Sequence, residues 1–267
     1  MALDEEFLTA EQECLIRIFR GGLRGRVVDH FDALIGSVDV LSYTLGRILK
    51  PADRAKLEPL LEEMSQRLAL LERLSVQTAD IATGSALREL QKMEPLELVI
   101  LLEEFGRDLN AALAEQNFHA LVRVESDLSA VSIQGNAALI NGLLSNVFSN
   151  AVRRDPDVML TLKVTRERRL VCFSGSELPQ EVWDLLVNGH LQGDLLERGG
   201  TGLLLIREYA GCLGWKIECW ENALSFVLPA FDLANLEFHS ETGQEELQGI
   251  SRRRIIGREL ASLEEAR

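Results

Sequence analysis

Cysteine is scarce in this sequence, and so is anything it could pair with. Four cysteines stand at positions 14, 172, 212 and 219, and the chain holds only four histidines. No C-x-x-C pair occurs, and no spacing gathers cysteine and histidine into a ligand pattern, which argues against a structural zinc site and against a disulfide framework. The four are expected to be reduced core thiols of a cytosolic protein. No apolar run approaches the ~20 residues that a membrane-spanning helix needs. The opening "MALDEEFLTAEQE" is acidic, unlike the start of a signal peptide. Positive charge is also in deficit, with 28 Lys and Arg against 42 Asp and Glu for a net charge of −14. That balance repels phosphate backbones and excludes a general nucleic-acid binder. The local exception is the cluster Arg17, Arg20, Arg24 and Arg26. Two readings stand for it, a solvated helix face and a docking patch for an acidic partner.

What is present is ordinary for a globular protein: 46% hydrophobic and 26% charged residues in 267, enough for one or two domains with their own cores. From Val27 the apolar positions Val27, Phe31, Leu34, Val38, Leu41, Leu45 and Ile48 step by threes and fours, which predicts a helix with one buried stripe. Gly21-Gly22 weakens helix continuity upstream, so residues 5–20 read as a separate or kinked helical segment. Pro51 marks the start of a second helix, with the stripe Leu57, Leu61, Met64, Leu68 and Leu71 in the spacing of a coiled-coil seam. Two such helices cannot enclose a core alone, and a homodimeric four-helix bundle is the economical completion.

"ATGSA" at 82–86 reads as a hinge, after which the pattern changes. Residues 95–116 and 136–154 read as helices, and "HALVRVES", "AVSIQG", "VMLTLKVT" and "LVCFSG" as strands. A helix near 180–187, a polar loop, a helix over about 201–213, and the strands "WKIECW" and "ALSFVLP" complete the pattern. The fold class expected is α+β, a two-helix hairpin followed by a sandwich of helices on one face of an antiparallel or mixed sheet. The boundaries expected are an N-terminal extension over 1–21, the hairpin over 22–82 and the sandwich over 86–231. A polar tail over 232–267 is expected to be a loosely attached helix or disordered.

Three stretches carry a resemblance that covers roughly residues 22–231. "LLSNVFSNAV", Leu143 to Val152, looks like an N box, "L-x-N-L-L-x-N-A", with Asn146 and Asn150 four apart on one helix face. "VCFSGSELPQEV" lies where "D-x-G-x-G-I-P" is expected, and "GGTGLLLIREYAGCLGWKIE" matches "G-T-G-L-G-L-x-I-V". In this order they resemble the transmitter region of a bacterial sensor histidine kinase, a dimerisation and phosphotransfer bundle followed by a GHKL-type ATP-binding domain. The resemblance implies that Asn146 and Asn150 hold Mg²⁺ and the nucleotide phosphates, with Asn150 the candidate metal ligand. It also implies that Gly175, Gly200 and Gly202 let backbone approach the nucleotide.

The departures are as informative as the matches. Phe173 stands in the column of the aspartate that accepts the adenine amino hydrogen, leaving that donor unpaired at a cost of about 1–3 kcal/mol. Glu177 replaces the second glycine, adding bulk and negative charge, and Leu204 replaces the last glycine of the third box. The segment that would form the nucleotide lid is short. In the phosphoacceptor segment, aligning Phe31, Leu34, Ile35 and Val38 puts Asp29 in the histidine column and His30 in that of the activating acid. One residue on a helix is about 100° of rotation, so His30 points away from the direction the family uses. His30 as phosphoacceptor, with Asp29 and Asp32 as its acids, and His30 as a plain bundle-surface histidine both stand.

The function expected is a dimeric adaptor or phosphotransfer partner of a response-regulator receiver domain, a histidine-kinase-like protein with a vestigial ATP site and no cofactor. Its docking surface would include the four arginines. The alternative is an active ATP- and Mg-dependent histidine autokinase with unorthodox boxes, and mixed dimerisation with another kinase is a third possibility.

Overall fold

A computed structural model describes residues 24–83, 92–189 and 201–230, with 252, 253, 255–257, 259, 260 and 263. Arg17, Arg20, Gly200, Cys14 and the segment 5–20 lie outside these, as do the side chains of Arg24, Arg26, Asp29 and Asp32. The chain divides into two compact units at Thr83/Gly84.

The first unit is a helical hairpin. Helix α1 spans Arg24–Ile48 and α2 spans Pro51–Thr83. Pro51 at the first helical position gives up no hydrogen bond that the helix would use. Asp53 places an acid in the first turn, where the helix dipole favours it. Pro59 lies inside α2 at an exposed position and removes one backbone donor from its ladder. The apolar stripe of α1 is only partly covered: Val38 is buried and Phe31 and Leu45 are half-buried, whereas Leu34, Leu41 and Ile48 are 50%, 44% and 74% exposed. On α2, Leu61 and Leu68 are half-buried, and Leu57, Met64 and Leu71 are exposed.

The second unit is a mixed α/β arrangement. A two-stranded antiparallel ribbon pairs β1 (Glu94–Glu97) with β3 (Ser132–Gly135). A five-stranded sheet runs in the order β2-β4-β5-β7-β6, built from Leu121–Ser126, Met159–Val164, Arg169–Phe173, Ala223–Val227 and Lys216–Trp220 respectively. The β2–β4 pair is parallel and the others are antiparallel. A parallel pair needs a long crossover, which here includes β3 and helix α4 (Ala137–Arg154). Helix α3 spans Leu98–Glu115, α5 is the single turn Gln180–Trp183, continued by a π-helical turn over Asp184–Asn188, and α6 spans Thr201–Leu213.

The register assigns Val122, Leu160, Leu162, Leu170, Cys172, Leu224 and Phe226 to one face of the sheet. Helices cover that face: a methyl added at Gly106 of α3 would meet Val124 at 3.2 Å and Val122 at 3.6 Å. Phe105, Leu102, Leu144, Phe148 and Phe226 are fully buried and anchor the core. Edge strand β2 is closed by Asn110 of α3, whose amide donates to the Val122 carbonyl and accepts from its N–H, both at 2.8 Å. Pairing an edge with a side chain blunts it against other strands.

Three expectations need correction. The helix expected from residue 95 begins at Leu98, because Glu94–Glu97 pairs with β3. There Glu97 caps the helix, accepting from Ile100 N–H at 2.6 Å, and also takes the Val131 N–H at 2.6 Å. Cys172 and Cys212 are buried, but Cys219 is exposed and is not a core thiol. The third concerns the expected loose tail. Its described residues are helical, with Ile256, Leu260 and Leu263 buried and the buried Arg252 donating to Asp108 at 2.7 Å and Glu104 at 2.8 Å. A sparse i, i+4, i+7 apolar stripe among many charges hides from composition, although it suffices to dock one helix face.

Candidate functional site

Helices α4 and α6 run antiparallel and touch through glycine. At the N-terminal end of α4, a methyl on Gly142 would come within 2.9 Å of the Tyr209 ring. At its other end, a methyl on Gly202 would lie 3.1 Å from Asn146 Oδ1 and 3.3 Å from Asn150 Nδ2. The two asparagines expected on one face are therefore on one face, packed against Gly202. Asn146 is buried and donates to the Gly142 carbonyl at 2.8 Å. Asn150 Nδ2 is buried without a hydrogen-bond partner among the described residues.

Beside Asn150 opens a cavity of about 260 Å³. Its walls are mostly aliphatic: Val147 from α4, Leu160 from β4, Leu186 from the π turn, Leu203 and Ile206 from α6, and Leu224 from β7. Cys172 and Phe173 line it at the end of β5, and Gly175 and Glu177 continue along its mouth. Gly175 has φ +75°, a left-handed conformation that favours glycine, and a methyl there would meet nothing within 4 Å. Its backbone angle, not crowding, is what asks for glycine.

Asn150, Phe173, Gly175 and Glu177 thus meet at one cavity, and Asn146 and Gly202 back it. His30 is exposed on α1 in the other unit. His119 is exposed and precedes β2. Phe173 and Glu177 line the cavity and leave it open. Strand alternation assigns Phe173 to the face opposite Cys172, and the residue carried toward the helices is Cys172. Burial pushes that thiol up to about 12, so it stays protonated and is no nucleophile. Sequence reading passed over Cys172, although its two-residue spacing from Leu170 places it on the helix side. Glu177 is engaged at the mouth. Its carboxylate accepts from Asn222 Nδ2 at 2.6 Å and its backbone carbonyl accepts from Arg154. Glu221 and Asn222, both at positive φ (50° and 62°), form the two-residue turn between β6 and β7, the geometry of a type I′ hairpin.

Across the sheet, Arg169 lies over the Trp220 ring at 4.4 Å and binds Glu218 at 2.6 Å. Hydrogen bonds from Lys216 and then Arg169 hold the Glu218 carboxyl below its ordinary range. Among the described residues no cluster of three or more His, Cys, Asp or Glu could hold a metal ion, and no helix is long and apolar enough to cross a membrane.

No protein-family model matches the sequence, and no curated protein matches it either. Solved structures do match. The nucleotide-free catalytic domain of histidine kinase ThkA is 18% identical, covering 51% of this chain and 94% of that one, with a TM-score of 0.40. ThkA in complex with response regulator protein TrrA is 17% identical over 82% of this chain and 63% of that chain, with a TM-score of 0.43. Full-length ShkA in complex with AMPPNP is 16% identical over 84% of this chain, with a TM-score of 0.50, and the match spans 47% of that chain. The ShkA match, which covers 84% of this chain, shows the fold alone: the chain shares the arrangement of that histidine kinase structure, an α+β combination of sheet and helices.

Proposed function

We propose that this protein is a dimeric two-component signalling protein with a degenerate ATP site, acting as adaptor or phosphotransfer partner of a response-regulator receiver domain in the cytoplasm. The observation that carries the reading is the β5 end of the cavity. The resemblance asks for a carboxylate acceptor there, and the chain supplies Cys172 and Phe173. Glu177, the nearest carboxylate in sequence, is held by Asn222. Asn146 and Asn150, which would face phosphates and Mg²⁺, have Gly202 packed against them.

The hairpin supports the dimeric part. Leu34, Leu41 and Ile48 on α1 and Leu57, Met64 and Leu71 on α2 recur every seven residues and are exposed in the single chain. Two seams of that period fit a four-helix bundle formed with a second copy. Arg24, Arg26 and the exposed His30 lie on α1, and Arg17 and Arg20 precede it in the sequence, which suits docking of an acidic receiver domain.

Calorimetric titration with Mg-ATP tests the central claim. We expect no saturable binding at micromolar nucleotide and no rise in melting temperature. Micromolar affinity, or a shift of several degrees, moves the protein to the autokinase reading. That reading has one observation in its favour, the open cavity beside Asn150. Incubation with a phosphorylated receiver domain then separates adaptor from phosphotransferase. Acid-labile label on the wild type and none on His30→Gln assigns phosphotransfer to His30.

A further inference from the structure

The β6 edge of the sheet is open, and a helical turn faces it across a groove. We propose that this groove docks an extended basic peptide, which adds as a further strand beside β6. Its use does not depend on whether nucleotide binds, and its surface is not the α1 face proposed for a receiver domain.

Register decides which backbone groups are free. Leu228 N–H donates to the Arg168 carbonyl at 2.9 Å, on the β5 side, so even-numbered residues of β7 bond β5 and odd-numbered ones bond β6. Ala223, Ser225 and Val227 therefore exchange hydrogen bonds with Trp220, Glu218 and Lys216 opposite them. That leaves the N–H and C=O of Ile217 and Cys219 directed away from the sheet, and among the described residues no other group bonds them. Strand β6 is last in the sheet order. Asn110 closes the opposite edge at β2, whereas β6 keeps the exposed row of donors and acceptors that templates strand addition.

The groove beside it has a volume of about 710 Å³. Four consecutive residues, Lys216 to Cys219, line one side. A cavity over a sheet face would take alternate residues, so this one follows the edge. The other side is a helical face of Gln180, Trp183, Asp184, Val187 and Asn188, three and four residues apart. Peptides that add to a sheet edge take their affinity from main-chain bonds and their selectivity from side-chain pockets beside it.

Charge selects the peptide. Three carboxylates line the groove, Glu177, Asp184 and Glu218, against the single cation of Lys216. Glu218 is already matched by Lys216 and Arg169, both at 2.6 Å. The carboxylates of Asp184 and Glu177 have neutral partners instead, Gln180 at 3.1 Å and Asn222 at 2.6 Å. Arg154 reaches only the Glu177 backbone carbonyl. A Lys or Arg of the incoming strand covers Trp183 and the exposed Val187 with its apolar stem and brings its charge to Asp184. The net charge of −14 favours the approach of such a partner.

The test uses the full chain and the peptide Val-Lys-Val-Arg-Val-Lys, labelled with fluorescein and read by anisotropy. Its comparators are the analogue with Glu at every basic position and two copies N-methylated at alternate residues, one in each phase. The basic peptide is expected to bind at least tenfold more tightly than the acidic one, and one N-methylated copy should lose binding at least tenfold. Bound peptide should slow alkylation of the exposed, groove-lining Cys219 by at least tenfold, mapped by mass spectrometry. Asp184→Lys should weaken the basic peptide at least tenfold. Cys219→Pro, which removes an outward N–H, should abolish binding, and the N-methylated copies decide the same point where that variant does not fold. The proposal is overturned if the folded protein does not bind the basic peptide, if the acidic analogue binds as well, if both N-methylated copies bind like the parent, or if Cys219 reacts at an unchanged rate. Protection of Cys219 that rises with protein concentration and needs no peptide also overturns it, because a second copy then fills the edge.

Discussion

The two units solve the burial problem in opposite ways. In the α/β unit the sheet face and three helices close on each other, and Phe105, Phe148, Phe226, Leu102 and Leu144 lose nearly all contact with water. In the described hairpin, Val38 and Val76 are the buried apolar residues, while Leu34, Leu41, Met64 and Leu71 remain exposed. Apolar area left in water forgoes about 25 cal/mol per Å². One unit is finished by its own chain, and the other leaves apolar stripes uncovered in the single chain.

The strongest way to break the comparison is to charge the unfinished seam. Leu41→Glu with Met64→Glu should convert the proposed dimer to a monomer and reduce the helix content of the hairpin. Sedimentation equilibrium with circular dichroism reads both, and a variant that stays dimeric and fully helical moves the interface elsewhere. A truncation in the finished core should act on stability instead of assembly. Phe148→Ala is expected to cost about 3–5 kcal/mol in the denaturant midpoint of the α/β unit, with the oligomeric state unchanged.

Glycine gives a sharper contrast, because the same substitution should change sign between units. Gly142→Ala drives a methyl to 2.9 Å from Tyr209 and should destabilise by about 1–3 kcal/mol. Gly36→Ala, with nothing within 4 Å of the new methyl, should stabilise α1 by about 0.5–1 kcal/mol. Thermal melts of the two variants against wild type decide it, and a loss at Gly36 would place a second chain against that face. The smallest effect is at Glu218. Its carboxyl is held below the ordinary range, so its stabilising contribution is present above the unfolded glutamate value near 4.3 and is lost as pH falls through the lower folded value. Glu218→Gln should flatten the acid limb of the stability–pH curve and leave its neutral region almost unmoved.

Much of this was legible from period and punctuation. Strands of alternating Leu and Val, such as "VMLTLKVT", lie within a residue or two of their expected positions, because burial on one sheet face writes a period of two. Pro51 marks the second helix correctly. The strand Glu94–Glu97 stayed hidden because "EPLE" carries two acids and a proline, and only its partner β3 makes it a strand. At the site, Asn146, Asn150 and Gly202 were named from the resemblance of their two boxes, and the structure packs them together. The role of Glu177 was not, since a carboxylate tied to Asn222 depends on a turn 45 residues away. The heptads of the hairpin suggested a partner helix but not which of their residues the single chain would cover by itself.

Arg252 reaches back 144 residues to Asp108 and 148 to Glu104. A ribosome releases the chain from its amino end, so α3 waits with its acids uncovered while every strand of the sheet is made. The last clasp of the α/β unit closes only after synthesis has passed residue 252. A stalled or shortened product lacking that stretch would present a bare acidic helix, a form that proteases and chaperones could tell from the finished molecule.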